Sequence, residues 1–164
     1  MVNQVTMDDV QDATLPFEAF YSQFWGDVYR AVAVAVGEAD VAREAVDEAM
    51  TRAYERWGAV SGMKNPKGWV YRVAVNWSRS FLRRRVIALR KRPKVDWVIE
   101  DAEVPDPAVM DAVGRLPAHQ RDVIIARFLL DMSEKDTAES FGIPAGTVKS
   151  RVSRALVTLR EELS

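Results

Sequence analysis

The 164-residue chain contains no cysteine, a single histidine and no long hydrophobic run. Without cysteine it can form no disulfide, no thiolate nucleophile and no cysteine-ligated zinc or iron–sulfur site. The single histidine, His119, cannot build a centre that needs several histidines. Residues 1–12 are acidic and polar, unlike a signal peptide, and no apolar stretch approaches the roughly 20 residues that cross a bilayer. These absences predict a cytoplasmic protein without a metal or a cofactor.

The net charge of −1 conceals a strongly segregated charge distribution. Residues 1–62 carry 4 basic and 11 acidic side chains, whereas residues 63–94 carry 11 basic and no acidic ones. Residues 95–114 contain 6 acidic side chains and no basic ones, and residues 115–164 are close to neutral. Such alternation indicates several surfaces with different partners, one of them a polyanion.

Apolar residues recur at spacings of three and four almost throughout, which predicts an all-α fold. Gly37 ends the first predicted helix, which Thr14 would cap and Pro16 would begin; a second helix starts near Asp40. A loop at 58–64 leads to Asn65-Pro66, a cap and first turn for a helix that Pro93 stops. Shorter helices are predicted at 107–115, 118–130, 134–140 and 145–163. We therefore predict two small helical domains, residues 1–92 and 107–164, joined by an acidic linker at 93–106.

The last two predicted helices have the pattern of a helix-turn-helix. Ser133 and Asp136 form a capping-box-like start, and Gly142 suits a left-handed turn. In the final helix, the predicted buried seam is Val148, Val152, Leu156 and Leu159. A second face carries hydroxyl and basic groups that suit base edges and phosphates in the major groove: Thr147, Lys149, Ser150, Arg151 and Arg154.

The basic helix after Pro66 has two stripes. We expect Val70, Val73, Ala74, Trp77 and Phe81 to face the core. The other stripe, with its basic extension, contains Trp69, Arg72, Asn76, Arg79, Arg83 and Arg84. Arginines neutralise phosphates and an exposed indole can stack on an unpaired base, so this stripe favours a nucleic-acid strand. Inward-facing pairs Arg79 and Arg83, or Arg151 and Arg154, neutralised by internal carboxylates would contradict the DNA-binding hypothesis.

Four stretches resemble the extracytoplasmic-function (ECF) group of bacterial sigma-70-type initiation factors. They are AREAVDEAMTRAYERW (42–57), NPKGWVYRVAVNWSRSFLRRR (65–85), LPAHQRDVIIARFLLDMSEKDTAESFGIP (116–144) and AGTVKSRVSRALVTLREEL (145–163). They cover about half the chain in the order and spacing of the family.

The resemblance implies a promoter-specificity subunit of RNA polymerase, and it implies a role for each surface. Glu44, Asp47 and Glu48 would dock on core polymerase, although the residues alone favour a solvated helix face for Asp47 and Glu48. The stripe from Trp69 to Arg84 would engage and help melt the −10 element, and the final helix would read the −35 element. Partners would be core polymerase and promoter DNA, both duplex and melted; many family members also bind an anti-sigma protein.

Two other classes stay open at this point. A stand-alone helix-turn-helix regulator would need a dimer interface and an effector domain, neither of which we identify in the sequence. An all-helical enzyme has little support, because no glycine-rich phosphate loop, histidine pair or carboxylate set at metal-ligand spacing occurs.

Overall fold

The computed structural model describes residues 15–85, here called the N-terminal lobe, and residues 106–164, called the C-terminal lobe. Both are built from helices, and no strand occurs in either range, which confirms the all-α prediction. The N-terminal lobe contains α1 (Phe17–Val36), α2 (Ala39–Glu55), α3 (Trp57–Val60) and α4 (Pro66–Arg85). The C-terminal lobe contains α5 (Pro107–Arg115), α6 (Ala118–Ile124), a π-helical turn (Ile125–Leu129), α7 (Glu134–Phe141) and α8 (Ala145–Glu162).

Several predicted helix ends are confirmed by their capping contacts. Gly37 closes α1 in the left-handed conformation, with φ of 79°. The Asn65 side chain accepts a hydrogen bond from the Gly68 amide at 2.7 Å, which caps α4. Pro16 lies just outside the first turn of α1, at the cap position. The proposed cap Thr14, the end of the basic helix near residue 92 and most of the acidic linker lie outside the described residues.

Two predicted segments differ from the structure. The loop at 58–64 is entered through the short helix α3, which extends to Val60. The helix predicted over 118–130 is α-helical only as far as Ile124, after which the Leu130 amide bonds to the Ile125 carbonyl at 3.1 Å and widens the last turn. Apolar periodicity cannot distinguish an α-helical turn from a π-helical turn, since both keep one side of the segment buried.

The buried residues of the two lobes form one continuous hydrophobic cluster. Val28 and Val46 of the N-terminal lobe belong to the same cluster as Leu116 and Ile125 of the C-terminal lobe. The lobes therefore pack against each other through apolar surface, mainly where α1 and α4 meet α5, the π-helical turn and α7. No helix within residues 15–85 or 106–164 has the length and apolar character needed to cross a membrane.

Some core assignments were wrong in detail. Leu156, predicted in the buried seam of α8, is 40% exposed while its neighbour Ala155 is buried, and Tyr54 near the end of α2 is 61% exposed although it is aromatic. In α4, Trp77 and Phe81 stack on each other at 5.1 Å and are only partly buried. The fully buried side of α4 includes Val70 and Ala74, as predicted, and also Tyr71, Val75 and Ser78, each of which follows directly after a residue of the predicted stripe. Part of this difference comes from the second lobe, since Phe141 of α7 packs against the buried ring of Tyr71.

Candidate nucleic-acid interface

The C-terminal lobe contains the helix-turn-helix that the sequence predicts. Ser133 caps α7 by accepting a hydrogen bond from the Asp136 amide at 2.9 Å. Gly142 ends α7 in the left-handed conformation, with φ of 63°. Helix α8 then starts after Pro144, and its first buried residue, Val148, lies against the lobe core. These contacts fix the direction in which the start of α8 leaves the lobe.

The predicted contact residues of α8 lie together on its solvent side. Lys149, Ser150 and Arg154 are exposed, and Thr147 and Arg151 are partly exposed. The Ser150 hydroxyl donates to the Thr147 carbonyl at 3.1 Å. Within the described ranges, no carboxylate lies within ion-pair distance of the three basic side chains. The α8 surface is thus an open cationic surface at the start of a helix, where it can meet DNA phosphates and base edges.

The second predicted DNA surface runs along α4. Arg72, Asn76, Arg83 and Arg84 are exposed, whereas Trp69 and Arg79 are half-buried. Trp69 packs on the edge of the hydrophobic core. The six residues therefore share one helix and one general direction, but part of the stripe is covered.

The C-terminal lobe covers that part of the stripe. Nη2 of Arg79 donates to both carboxylate oxygens of Asp122 in α6, at 2.7 and 2.8 Å. Nη1 of Arg72 donates to the backbone carbonyl of Ser140 in α7 at 2.6 Å. Arg79 is thus neutralised by an internal carboxylate, contrary to the expectation of a free stripe. Arg83 has no described ion-pair partner.

A cleft lies beside these contacts, between the start of α4 and α7. Its walls come from both lobes: Met63, Lys64, Asn65, Trp69, Arg72, Asp136, Glu139 and Ser140. Lys64 Nζ and Glu139 Oε1 face each other across it at 4.0 Å, and both side chains are more than half exposed. Basic groups therefore line the N-terminal wall and acidic groups line the C-terminal wall.

Tyr71 is buried where the two lobes meet. Its ring packs edge-on against Phe141 of α7, with ring centroids 6.5 Å apart, and its hydroxyl has no hydrogen-bond partner among residues 15–85 and 106–164. Burial raises the pKa of Tyr71 well above its ordinary value, and the charge of Asp122 raises it further, while Arg79 and Arg121 act in the opposite direction. The phenol therefore stays neutral at physiological pH.

The predicted polymerase-docking residues lie on the outer side of α2. Glu44 and Asp47 are exposed and Glu48 is partly exposed. Trp25 Nε1 of α1 donates to Asp47 Oδ1 at 2.9 Å, and Arg52 Nε donates to Glu48 Oε1 at 2.9 Å. The acidic surface is thus presented on a helix, with two of its carboxylates oriented by neighbours.

Comparison with known proteins decides between the functional classes. Residues 107–159 match the family model "Sigma-70, region 4". The RNA polymerase sigma-E factor of Streptomyces antibioticus is 34% identical over 130 residues, covering 74% of this chain and 70% of that protein. The ECF RNA polymerase sigma factor SigM of Mycobacterium tuberculosis is 30% identical over 147 residues, covering 87% of this chain and 74% of that protein. The chain belongs to the ECF group of the sigma-70 family.

A solved structure supports the same fold for this sigma factor. The sigma factor RpoE of Bartonella quintana, crystallised with the anti-sigma factor NepR, superimposes with a TM-score of 0.77 at 23% identity, covering 90% of this chain and 96% of that one. The similarity to relatives extends well beyond the helix-turn-helix, which favours a sigma factor over a stand-alone regulator. The protein is a regulatory initiation factor that directs RNA polymerase to promoters.

The sequence did not reveal the groups that cover α4. Asp122 begins an apolar stretch, and a carboxylate among buried residues is a signal that could have predicted an internal ion pair. Its partner is 43 positions away, and no spacing rule connects the two. Arg72 bonds to the backbone carbonyl of Ser140. Every residue type has such a carbonyl, so the identity of residue 140 could not predict this contact.

Proposed function

We propose that this sigma factor contacts promoter DNA through two cationic surfaces and core polymerase through a third, acidic one. The α8 surface reads and grips the −35 element, and the α4 stripe from Trp69 to Arg84 engages and helps to melt the −10 element. Glu44, Asp47 and Glu48 on α2 dock on core polymerase. The division into domains at 1–92 and 107–164, with a linker at 93–106, belongs to the same proposal.

The observation that carries the proposal is the cationic surface of α8, which has no carboxylate partner in residues 15–85 or 106–164 and lies within the segment that matches sigma-70 region 4. The surface follows a capped α7 and a left-handed glycine, so its start projects from the lobe. Side chains of this kind bind phosphates and guanine edges. By contrast, a merely solvated helix face would need no such concentration of base and hydroxyl at one end of the helix.

Three further proposals follow from membership of the family. The protein acts by binding and has no catalytic activity of its own. It works in the cytoplasm, where its polymerase is. An anti-sigma protein is a further partner, as for the RpoE chain whose structure is a complex with NepR.

The test is transcription in vitro with purified core polymerase on a promoter library. The double variant Arg151→Ala, Arg154→Ala should lose sequence preference at upstream positions, with about 1–3 kcal/mol lost for each base-edge contact removed. Arg160→Ala removes an exposed arginine from the far end of the same helix and should transcribe as the parent does. Equal upstream selectivity in the double variant and in Arg160→Ala would contradict the assignment of α8.

A further inference from the structure

We propose that in the free protein the C-terminal lobe closes on the DNA-facing stripe of α4, with Asp122 taking the place of a DNA phosphate on Arg79. This latch rests on the proposed function of α4. It adds a regulatory contact within the chain: the same guanidinium that serves the promoter is held by the protein's own carboxylate until DNA displaces it.

The Arg79–Asp122 pair is suited to such an exchange. The Asp122 side chain is 11% exposed and Arg79 is 39% exposed, so the carboxylate is fixed within its lobe while the guanidinium stays reachable. Both carboxylate oxygens lie within 2.8 Å of Arg79 Nη2. A guanidinium binds carboxylate and phosphate oxygens by the same kind of charge-assisted hydrogen bond. The Nη2 group that holds Asp122 therefore cannot hold a phosphate in the same position.

Two more contacts hold the lobe on the stripe. The Ser140 carbonyl occupies Arg72, which leaves two of the stripe's arginines engaged. Met132, which is buried, lies over the backbone of Gly68, where a Cβ atom would stand 2.8 Å from its Cε atom. Arg127 fixes the turn before α7 by donating to the Met132 carbonyl. Because Gly68 has no side chain, the C-terminal lobe can approach α4 closely enough for Asp122 and Ser140 to reach the two arginines.

The interface also contains a feature that favours opening. The Tyr71 hydroxyl is buried without a hydrogen-bond partner in the described part of the chain, although its ring packs against Phe141. A buried polar group without a hydrogen bond disfavours the state that buries it, and separation of the lobes would return this hydroxyl to water. The arginine contacts and the apolar packing therefore stabilise the closed state, whereas the buried Tyr71 hydroxyl destabilises it. A latch that opens reversibly needs both contributions.

Zero-length cross-linking of the full chain measures closure directly. A water-soluble carbodiimide activates the Glu139 carboxyl group, Lys64 Nζ attacks it to form an amide, and the carbodiimide leaves as a urea carrying the carboxyl oxygen. The 4.0 Å separation makes this product specific to the closed arrangement. Asp122→Asn should lower its yield, measured by mass spectrometry of the joined peptides. Asp111→Asn, which makes the same charge change on exposed α5, should not.

DNA binding provides the second measurement. Fluorescein-labelled oligothymidylate should bind Asp122→Asn about tenfold more tightly than Asp111→Asn, because a larger fraction of the protein is open. Because both variants lose one negative charge, their comparison removes the general effect of that charge on DNA affinity. In the unsubstituted protein, saturating oligothymidylate should lower the Lys64–Glu139 cross-link yield, which tests the latch even if a variant fails to fold.

Equal cross-link yields and equal affinities in Asp122→Asn and Asp111→Asn would overturn the latch, as would a cross-link that saturating DNA leaves unchanged. Arg83→Ala separates this failure from failure of the proposed function, since Arg83 lies outside the latch contacts. If Arg83→Ala weakens oligothymidylate binding while the two aspartate variants agree, only the latch is wrong. If Arg83→Ala binds as the parent does, the DNA role of α4 is wrong and the latch falls with it.

Discussion

The two cationic surfaces of this sigma factor differ in what lies against them. On α8, Lys149, Arg151 and Arg154 have no described carboxylate partner, whereas on α4 Arg79 is bound to Asp122 and Arg72 to a backbone carbonyl. Both surfaces have the composition of a DNA-binding site, so composition does not determine which one is accessible. On the proposed roles of the two helices, duplex recognition by α8 would need no rearrangement, whereas strand engagement by α4 would need the lobes to separate.

The difference in accessibility between α4 and α8 should respond most to removing the apolar contact that Met132 makes with α4. Met132→Ala should lower the stability of the protein by roughly 2–5 kcal/mol, the usual cost of truncating a buried methionine, and the share that comes from contact with α4 should weaken the closed arrangement. Hydrogen exchange should then accelerate along α4 near Arg72 and leave α8 unchanged. Leu163→Ala, which truncates an apolar side chain that is 46% exposed, serves as the control. Equal acceleration on both helices would mean that the substitution unfolds the lobe rather than opening the interface.

A second experiment asks whether the covered stripe acts after recruitment. Trp69→Ala and Asn76→Ala should impair promoter opening more than initial binding, because an indole stacked on an unpaired base contributes about 1–3 kcal/mol only once the strands have parted. Permanganate reactivity of thymines near the start site measures opening, and competitor-sensitive complex formation measures binding. The assignment fails if both quantities fall by the same factor.

The helix ends and the two basic surfaces could be predicted from the sequence, and there is a physical reason why the covering of α4 could not. Local signals located the helix ends at Gly37, Asn65 and Ser133, because caps depend on neighbouring residues. The basic stripes also followed from periodicity. The covering of α4 depends on contacts between residues such as Arg79 and Asp122, which only the packing of two lobes brings together. The same packing explains why Tyr71, which the sequence did not assign to the core, is buried against Phe141 of the other lobe.

The Tyr71 hydroxyl, which none of the described residues pairs with, offers a way to strengthen the closed state. Tyr71→Phe should stabilise it by about 1 kcal/mol, since a buried hydroxyl without a partner is removed and the ring is kept. Accordingly, the Lys64–Glu139 cross-link yield should rise and oligothymidylate binding should weaken. Tyr54→Phe removes a hydroxyl from a side chain that is 61% exposed and should change neither.

Tyr71→Phe should also change how the stability of the protein depends on pH. Because the pKa of Tyr71 is raised in the folded protein, the folded state retains this proton at pH values where the unfolded chain releases it. The contribution of Tyr71 to stability is therefore full below the ordinary tyrosine pKa of about 10 and is lost as the pH rises above it. Urea denaturation between pH 8 and pH 11 should show a smaller loss of stability in Tyr71→Phe than in Tyr54→Phe. Parallel profiles would contradict the buried position of the phenol.

The smallest expected effect concerns the acidic surface of α2, which differs from both cationic surfaces in being oriented by an aromatic neighbour. Trp25 donates to Asp47 and stacks on Tyr29 at 5.2 Å, and the Arg43 guanidinium lies 5.5 Å from the Trp25 ring. Trp25→Phe keeps a ring for these contacts and removes only the N–H donor. Because the hydrogen bond is exposed, its loss should weaken binding to core polymerase by about 0.5 kcal/mol, or roughly twofold.

Asp47→Asn tests whether that carboxylate is the group that polymerase contacts, and it should weaken core binding more than Trp25→Phe does. Asp40→Asn makes the same charge change in the first turn of α2, outside the docking set, and is the matched control. If Trp25→Phe weakens core binding in the parent but not in the Asp47→Asn background, the indole acts by positioning Asp47. If the two losses simply add, Trp25 contributes independently and the acidic surface owes nothing to its aromatic neighbour.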